Sequence, residues 1–125
     1  MWKYGLAAAA VVAATPADAQ TQAQMTRTAE QEYKSADAVM TREWNATNAF
    51  MKRRDSADHS RGGGFGYAAS LLASQRAWLK YRDSQCVIEA GEFAGGSMQA
   101  MSRFSCLADL SRARGKELAA LRWKG

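Results

Sequence analysis

Proline is almost missing from this chain of 125 residues. The single one, Pro16, lies near the N-terminus, so nothing after it forbids long uninterrupted helices. Histidine is as scarce, with His59 alone, and cysteine is limited to Cys86 and Cys106. A zinc site wants three or four Cys, His or carboxylate ligands, so this inventory implies no metal, and no motif asks for a cofactor. The C-x-x-C spacing of a redox-active dithiol does not occur. Alternating β-branched stretches are lacking too, which removes the strand signature. The apolar run at residues 5–14 is about half the roughly 20 residues that a membrane-spanning helix needs, so no span is expected in the mature form.

Catalysis is not indicated either. Asp55, Ser56, Asp58 and Ser60 surround His59, but a catalytic arrangement needs a buried orienting carboxylate and a shaped site, which a polar loop does not supply. The chain therefore reads as a non-enzyme. The run Gly62-Gly63-Gly64-Phe65-Gly66 has no strand signature before it and no Gly-Lys-Ser/Thr after it, so it reads as a flexible connection and not as a phosphate loop.

The N-terminus carries the three-part layout of a secretory signal: Lys3, the apolar run, then Ala17-Asp18-Ala19 as an A-x-A cleavage site. Residues 1–19 are expected to be that signal and residues 20–125 a single domain, periplasmic or secreted. No Cys follows the apolar run, so lipid attachment is not expected. The chain holds 17 Lys+Arg against 12 Asp+Glu, a net charge of +5 that loss of Lys3 and Asp18 leaves unchanged. Such a balance favours acidic partners, without pointing to a specific nucleic acid. In an oxidising compartment Cys86 and Cys106 are expected to pair, two buried free thiols being the alternative.

What the chain does contain is helix formers: Ala, Gln, Glu, Lys, Arg, Leu and Met. Thr21-Gln22-Ala23-Gln24 reads as a capping box that opens a first helix. Met25, Ala29, Tyr33, Ala36, Met40, Trp44, Thr47 and Met51 then recur at steps of three and four, one apolar stripe with Glu30 and Lys34 paired outside it. A polar, Gly-rich loop is expected over residues 52–66. A second helix over 67–93 would turn Leu71, Leu72, Trp78, Leu79, Cys86 and Phe93 inward, with Gln75 and Arg82 beside them. Gly95-Gly96 ends it and Ser97 caps a third helix, whose Met98, Met101, Leu107, Leu110, Leu118 and Leu121 cover the first two. The expected fold is all-α, three antiparallel helices with a Cys86–Cys106 disulfide across the second helical hairpin. Arg82, on an apolar stripe, must find a carboxylate, with Asp37 or Glu117 as candidates. Of the tryptophans, Trp123 near the C-terminus is the candidate for an exposed anchor.

The segment Gln75-Arg76-Ala77-Trp78, with Tyr81-Arg82-Asp83 and Cys86, is followed by Gly95-Gly96-Ser97 and by Cys106-Leu107 with Leu110, Arg114 and Leu118. Together with Thr21-Gln22, Met25, Ala29, Tyr33 and Asp37, this pattern resembles the LprI-like lysozyme-inhibitor family of small secreted helical domains. Family members often carry Asn and Cys where this chain has Thr26 and Thr28, which implies one disulfide fewer here. The resemblance implies that Gln75, Trp78, Arg82, Asp83 and Gly96 are mainly structural and that the partner is a lysozyme or another envelope protein. A lysozyme cleft holds two carboxylates, and a cationic loop could occlude it by pairing with them; Arg53, Arg54, His59 and Arg61 are the candidates. The alternative is an envelope structural or stress protein that binds anionic cell-surface polymers through its basic faces.

Overall fold

A run of 42 residues without an internal helix breaker becomes one helix, α1 (Pro16–Ala57). The computed structural model describes residues 8–11, 16–60 and 62–123, the side chains of residues 16–20 excepted. Two further helices follow, α2 (Tyr67–Ala90) and α3 (Gln99–Ala120), with a 3₁₀ turn, Gly91–Phe93, extending the end of α2. No strand occurs among the described residues.

The contacts give the topology. Gln22 meets Met101, Arg112 meets Glu32, and Thr47 meets Leu118, so α1 and α3 run in the same direction. The second helix runs against both, since Asp55 meets Tyr67, Asp37 meets Arg82, and Cys86 is joined to Cys106 with Cα atoms 5.5 Å apart. This is the expected up-down-up bundle with its disulfide across the second hairpin. The α1–α3 interface is the most extensive of the three.

Several boundaries differ from the sequence reading. The first helix begins at Pro16, a residue whose fixed φ suits a helix's first turn, so Thr21 lies inside the helix and does not cap it. The expected signal, residues 1–19, falls mostly outside the described residues. At its other end α1 continues to Ala57, which puts Arg53 and Arg54 on its last turns and shortens the loop to residues 58–66. Ser97 does not cap α3; Met98 holds the N-cap position, with no side-chain bond. The hairpin instead turns on Gly95, whose φ of 78° is left-handed. Leu72, Met25 and Met98, expected inside, are exposed.

The buried apolar set is thin and built partly from small residues: Ala29, Ala36, Met40, Met51, Leu71, Cys86, Ala90, Leu107, Ala108 and Leu118. Polar groups share the interior, namely Thr47, Gln75, Arg82, Ser111 and Arg114. Each is satisfied, as a buried polar group must be. Thr47 Oγ1 donates to the Leu118 carbonyl at 2.7 Å and accepts from Arg122 Nη1 at 2.8 Å, which ties α1 to the end of α3.

Candidate functional site

Of the motif residues of the second helix, Gln75 and Arg82 are buried in the bundle, Trp78 is half-buried and Asp83 is exposed. Arg82, only 6 % exposed, reaches Asp37 Oδ1 at 3.1 Å, Asp83 Oδ1 at 3.0 Å and Ser111 Oγ at 3.4 Å. Asp37 is thus its carboxylate across the helix interface. Glu117 pairs instead with Arg114, at 3.1 Å. Arg114 also donates to Gln75 Oε1 at 2.9 Å and Ser74 Oγ at 3.1 Å. Both guanidiniums lie within 6 Å of the Trp78 ring, at 5.2 and 5.8 Å. This network, with its guanidiniums buried and its carboxylates at the surface, joins α1, α2 and α3 and fixes their register. Gly96, in the hairpin, donates its N–H to the Phe93 carbonyl at 2.9 Å.

The other end of the bundle is built differently. Asp55, near the end of α1, accepts the Tyr67 N–H at 2.7 Å and the Ala68 N–H at 3.0 Å. The N-cap position of α2 is Gly66, which has no side chain to do this, so an aspartate from the preceding helix caps α2 in its place. Three residues on, Asp58 takes the Ser60 N–H and hydroxyl on Oδ1, at 3.0 and 2.6 Å, and the Phe65 N–H on Oδ2 at 2.9 Å. Those bonds, the Ser60 pair first and then Phe65, hold its carboxyl at about 2, below the ordinary 3.8. At Gly64, with φ of 96°, a Cβ would stand 3.0 Å from the Asp58 carbonyl oxygen. The described parts of the loop, residues 58–60 and 62–66, are thus tied by hydrogen bonds to Asp58 at Ser60 and Phe65. Two carboxylates fold the loop back against the helix ends.

This folding places aromatic rings around the cations of α1. Arg54 lies over Tyr67 at 5.0 Å, Trp123 at 5.3 Å and Phe50 at 6.0 Å; Arg53 lies over Phe50 at 6.0 Å and is exposed. Phe65 stacks at a tilt on Tyr67, centroids 4.7 Å apart, and Trp123 meets Phe50 edge-on at 6.2 Å. Phe65 and Trp123 remain 59 % and 40 % exposed. His59 is exposed on the same loop, and Arg61 lies outside the described residues. Of the four cationic candidates, the structure thus joins Arg53 and Arg54 at one aromatic surface. Sequence reasoning missed Phe50, Phe65 and Tyr67 as their neighbours. Phe65, an aromatic between two glycines in a polar stretch, was the available signal.

Among the described residues, the one cluster of three potential metal-ligand side chains is Cys86, Glu89 and Cys106. Its two sulfurs are consumed by the disulfide, and one carboxylate does not make a metal site. No helix among the described residues is long and apolar enough to cross a membrane.

Comparison with known proteins gives two findings. Residues 13–118 match the family described as "Lysozyme inhibitor LprI". An uncharacterized protein of Rhizobium meliloti (strain 1021) is 37 % identical over 94 residues, covering 74 % of this chain and 68 % of that protein. No solved structure matches the chain.

Proposed function

From the premise that the chain belongs to the LprI lysozyme-inhibitor family, we propose that it is an exported binding protein that inhibits a lysozyme by seating its loop end in the enzyme's cleft. The observation that carries this reading is the coincidence, at one end of the bundle, of two exposed rings, Phe65 and Trp123, with Arg53 and Arg54. Aromatic residues and arginine are enriched at the energetic centres of protein interfaces. A lysozyme cleft supplies the complement, a groove with two carboxylates. The tied loop adds preorganisation, which lowers the entropy lost on docking. No catalytic step is assigned to the chain, and no cofactor enters the reading.

Export follows from residues 1–19 as a secretory signal, with a mature domain from about residue 20 in the periplasm or outside the cell. One observation supports that boundary: the A-x-A site ends at Ala19.

The test is a lysozyme activity assay with the oxidised protein against several lysozyme types at low and moderate salt. Stoichiometric inhibition of one type that survives moderate salt is the expected result. Inhibition of none would remove the reading. Inhibition that fades steeply with ionic strength would indicate attraction by scattered Lys and Arg, the behaviour of a binder of anionic cell-surface polymers. Exchange of Arg53, Arg54 and Arg61 together for Ala is expected to abolish inhibition while the helical content stays unchanged.

A further inference from the structure

Among the described residues, four arginines are partly or fully buried, and three of them have a carboxylate: Arg82 with Asp37 and Asp83, Arg114 with Glu117, Arg122 with Glu43. Arg54 is the fourth, and its neighbours are three aromatic rings. Its Nε is buried with no hydrogen-bond acceptor. Ring faces attract a cation, yet they accept no strong hydrogen bond, so the buried Nε of this half-buried arginine lacks the directional partner that such a group requires. Beside it lies a depression of about 310 Å³ bounded by Arg54, Ala57, Asp58 and Tyr67.

Tyr67 also borders a second depression, of about 340 Å³, lined mainly by Met51, Phe65, Leu71, Leu121 and Trp123. A cationic hollow and an apolar one thus share the Tyr67 ring. We infer that these two hollows form a single receptor for a protein segment carrying a carboxylate next to an apolar side chain, the carboxylate on the Arg54 guanidinium and the apolar group against Trp123 and Phe65. The inference deepens the loop-end reading and rests on it for the identity of the docking face.

Two features narrow the ligand. The fork of a guanidinium matches a carboxylate in two parallel hydrogen bonds, and the terminal nitrogens are the ones left to make them once Nε is sealed. Asp58 stands on the wall of the cationic hollow, ionised down to about pH 2. Its charge opposes a dianionic phosphate more than a singly charged carboxylate. Two neighbouring hollows that share a ring suit alternate residues of an extended segment, whose side chains lie on one face about 7 Å apart.

The experiment is a ¹⁵N NMR titration of the oxidised protein with the blocked tripeptides Leu-Ala-Asp, Leu-Ala-Asn and Gly-Ala-Asp, read at Arg54 Nε–H and at the Trp123 indole N–H. Leu-Ala-Asp is expected to move both signals to saturation, Leu-Ala-Asn that of Trp123 only, and Gly-Ala-Asp that of Arg54 only. In Arg54→Lys, which keeps the charge but loses the fork, Leu-Ala-Asp should bind no better than Leu-Ala-Asn, judged from Trp123. Equal shifts of Arg54 with the Asp and Asn peptides, or no shift of either signal, would overturn the inference. The lysozyme assay separates this site from the inhibitor reading. Peptide binding without inhibition of any lysozyme leaves the receptor standing and removes the inhibitor. Inhibition that Arg54→Lys and Trp123→Ala leave unchanged does the reverse, since loss of the guanidinium fork and of an aromatic anchor at a docked face should weaken inhibition about tenfold or more.

Discussion

At the scale of single residues, the arginines divide by what answers their charge. Arg82 and Arg114 are answered inside the bundle by carboxylates, Gln75 and the Trp78 ring, so their removal would act on folding. Arg54 is answered only by rings, which leaves its charge available to something outside. Asp58 gives a prediction of its own. Its folded value, about 2, lies below the ordinary 3.8, so its hold on the loop is complete above that ordinary value and is lost as pH falls through about 2. The amide signals of Ser60 and Phe65 are therefore expected to titrate with a midpoint near 2, and Asp58→Asn should abolish that transition. A midpoint near 4 would contradict the bonds described. Part of this scale was legible in the sequence. A guanidinium on an apolar stripe demanded a carboxylate, and Asp37 was one of two candidates. The cage around Arg54 was not legible, because Phe50, Tyr67 and Trp123 come from three separate stretches of chain and only folding joins them.

At the scale of the elements, periodicity gave three helices and their inward faces with few exceptions, because spacing of three and four is a property of each helix alone. The ends were harder. The first helix outlasts the expected start of the loop because Asp55, still helical, reaches twelve residues ahead to cap α2. No local pattern encodes that bond. Gly115 of α3 is buried and faces the α1 backbone at Met40. Yet a Cβ there would meet Met40 Cα at 3.7 Å and Glu43 Cγ at 4.0 Å, ordinary packing distances, and the glycine is not left-handed. Gly115→Ala is therefore expected to stabilise the protein by about 0.5–1 kcal/mol, through the helical preference of Ala and the smaller freedom of its unfolded chain. Urea unfolding would measure it, and a loss of stability would mean that the helices are closer than described. Larger side chains at the same position should destabilise, since a packed interface tolerates little added volume.

At the scale of the whole molecule, the core is small and partly polar, so a single crosslink weighs heavily. The disulfide closes a loop with its cysteines 20 residues apart, for which loss of unfolded-state freedom gives about 3 kcal/mol. Against the roughly 5–15 kcal/mol typical of a domain, that is a large share. Paired Cys86→Ser and Cys106→Ser exchange is expected to lower Tm by roughly 10–20 °C, with little change in helical content below the transition. Calorimetry with and without reductant on the unaltered protein should give the same shift, and a smaller effect would mean that the unfolded chain is already compact around the hairpin.

The two ends of the bundle are also closed by unlike means, carboxylates holding backbone amides at one and a covalent bridge at the other. Cys86 and Cys106 bracket the whole turn between α2 and α3, so a protease that nicked the peptide chain there would leave both fragments attached to one another. A cut in the 58–66 segment meets no such bridge, and the pieces would be held only by non-covalent contacts. Damage by a protease at the hairpin end is therefore survivable, whereas integrity of the loop end depends on its never opening.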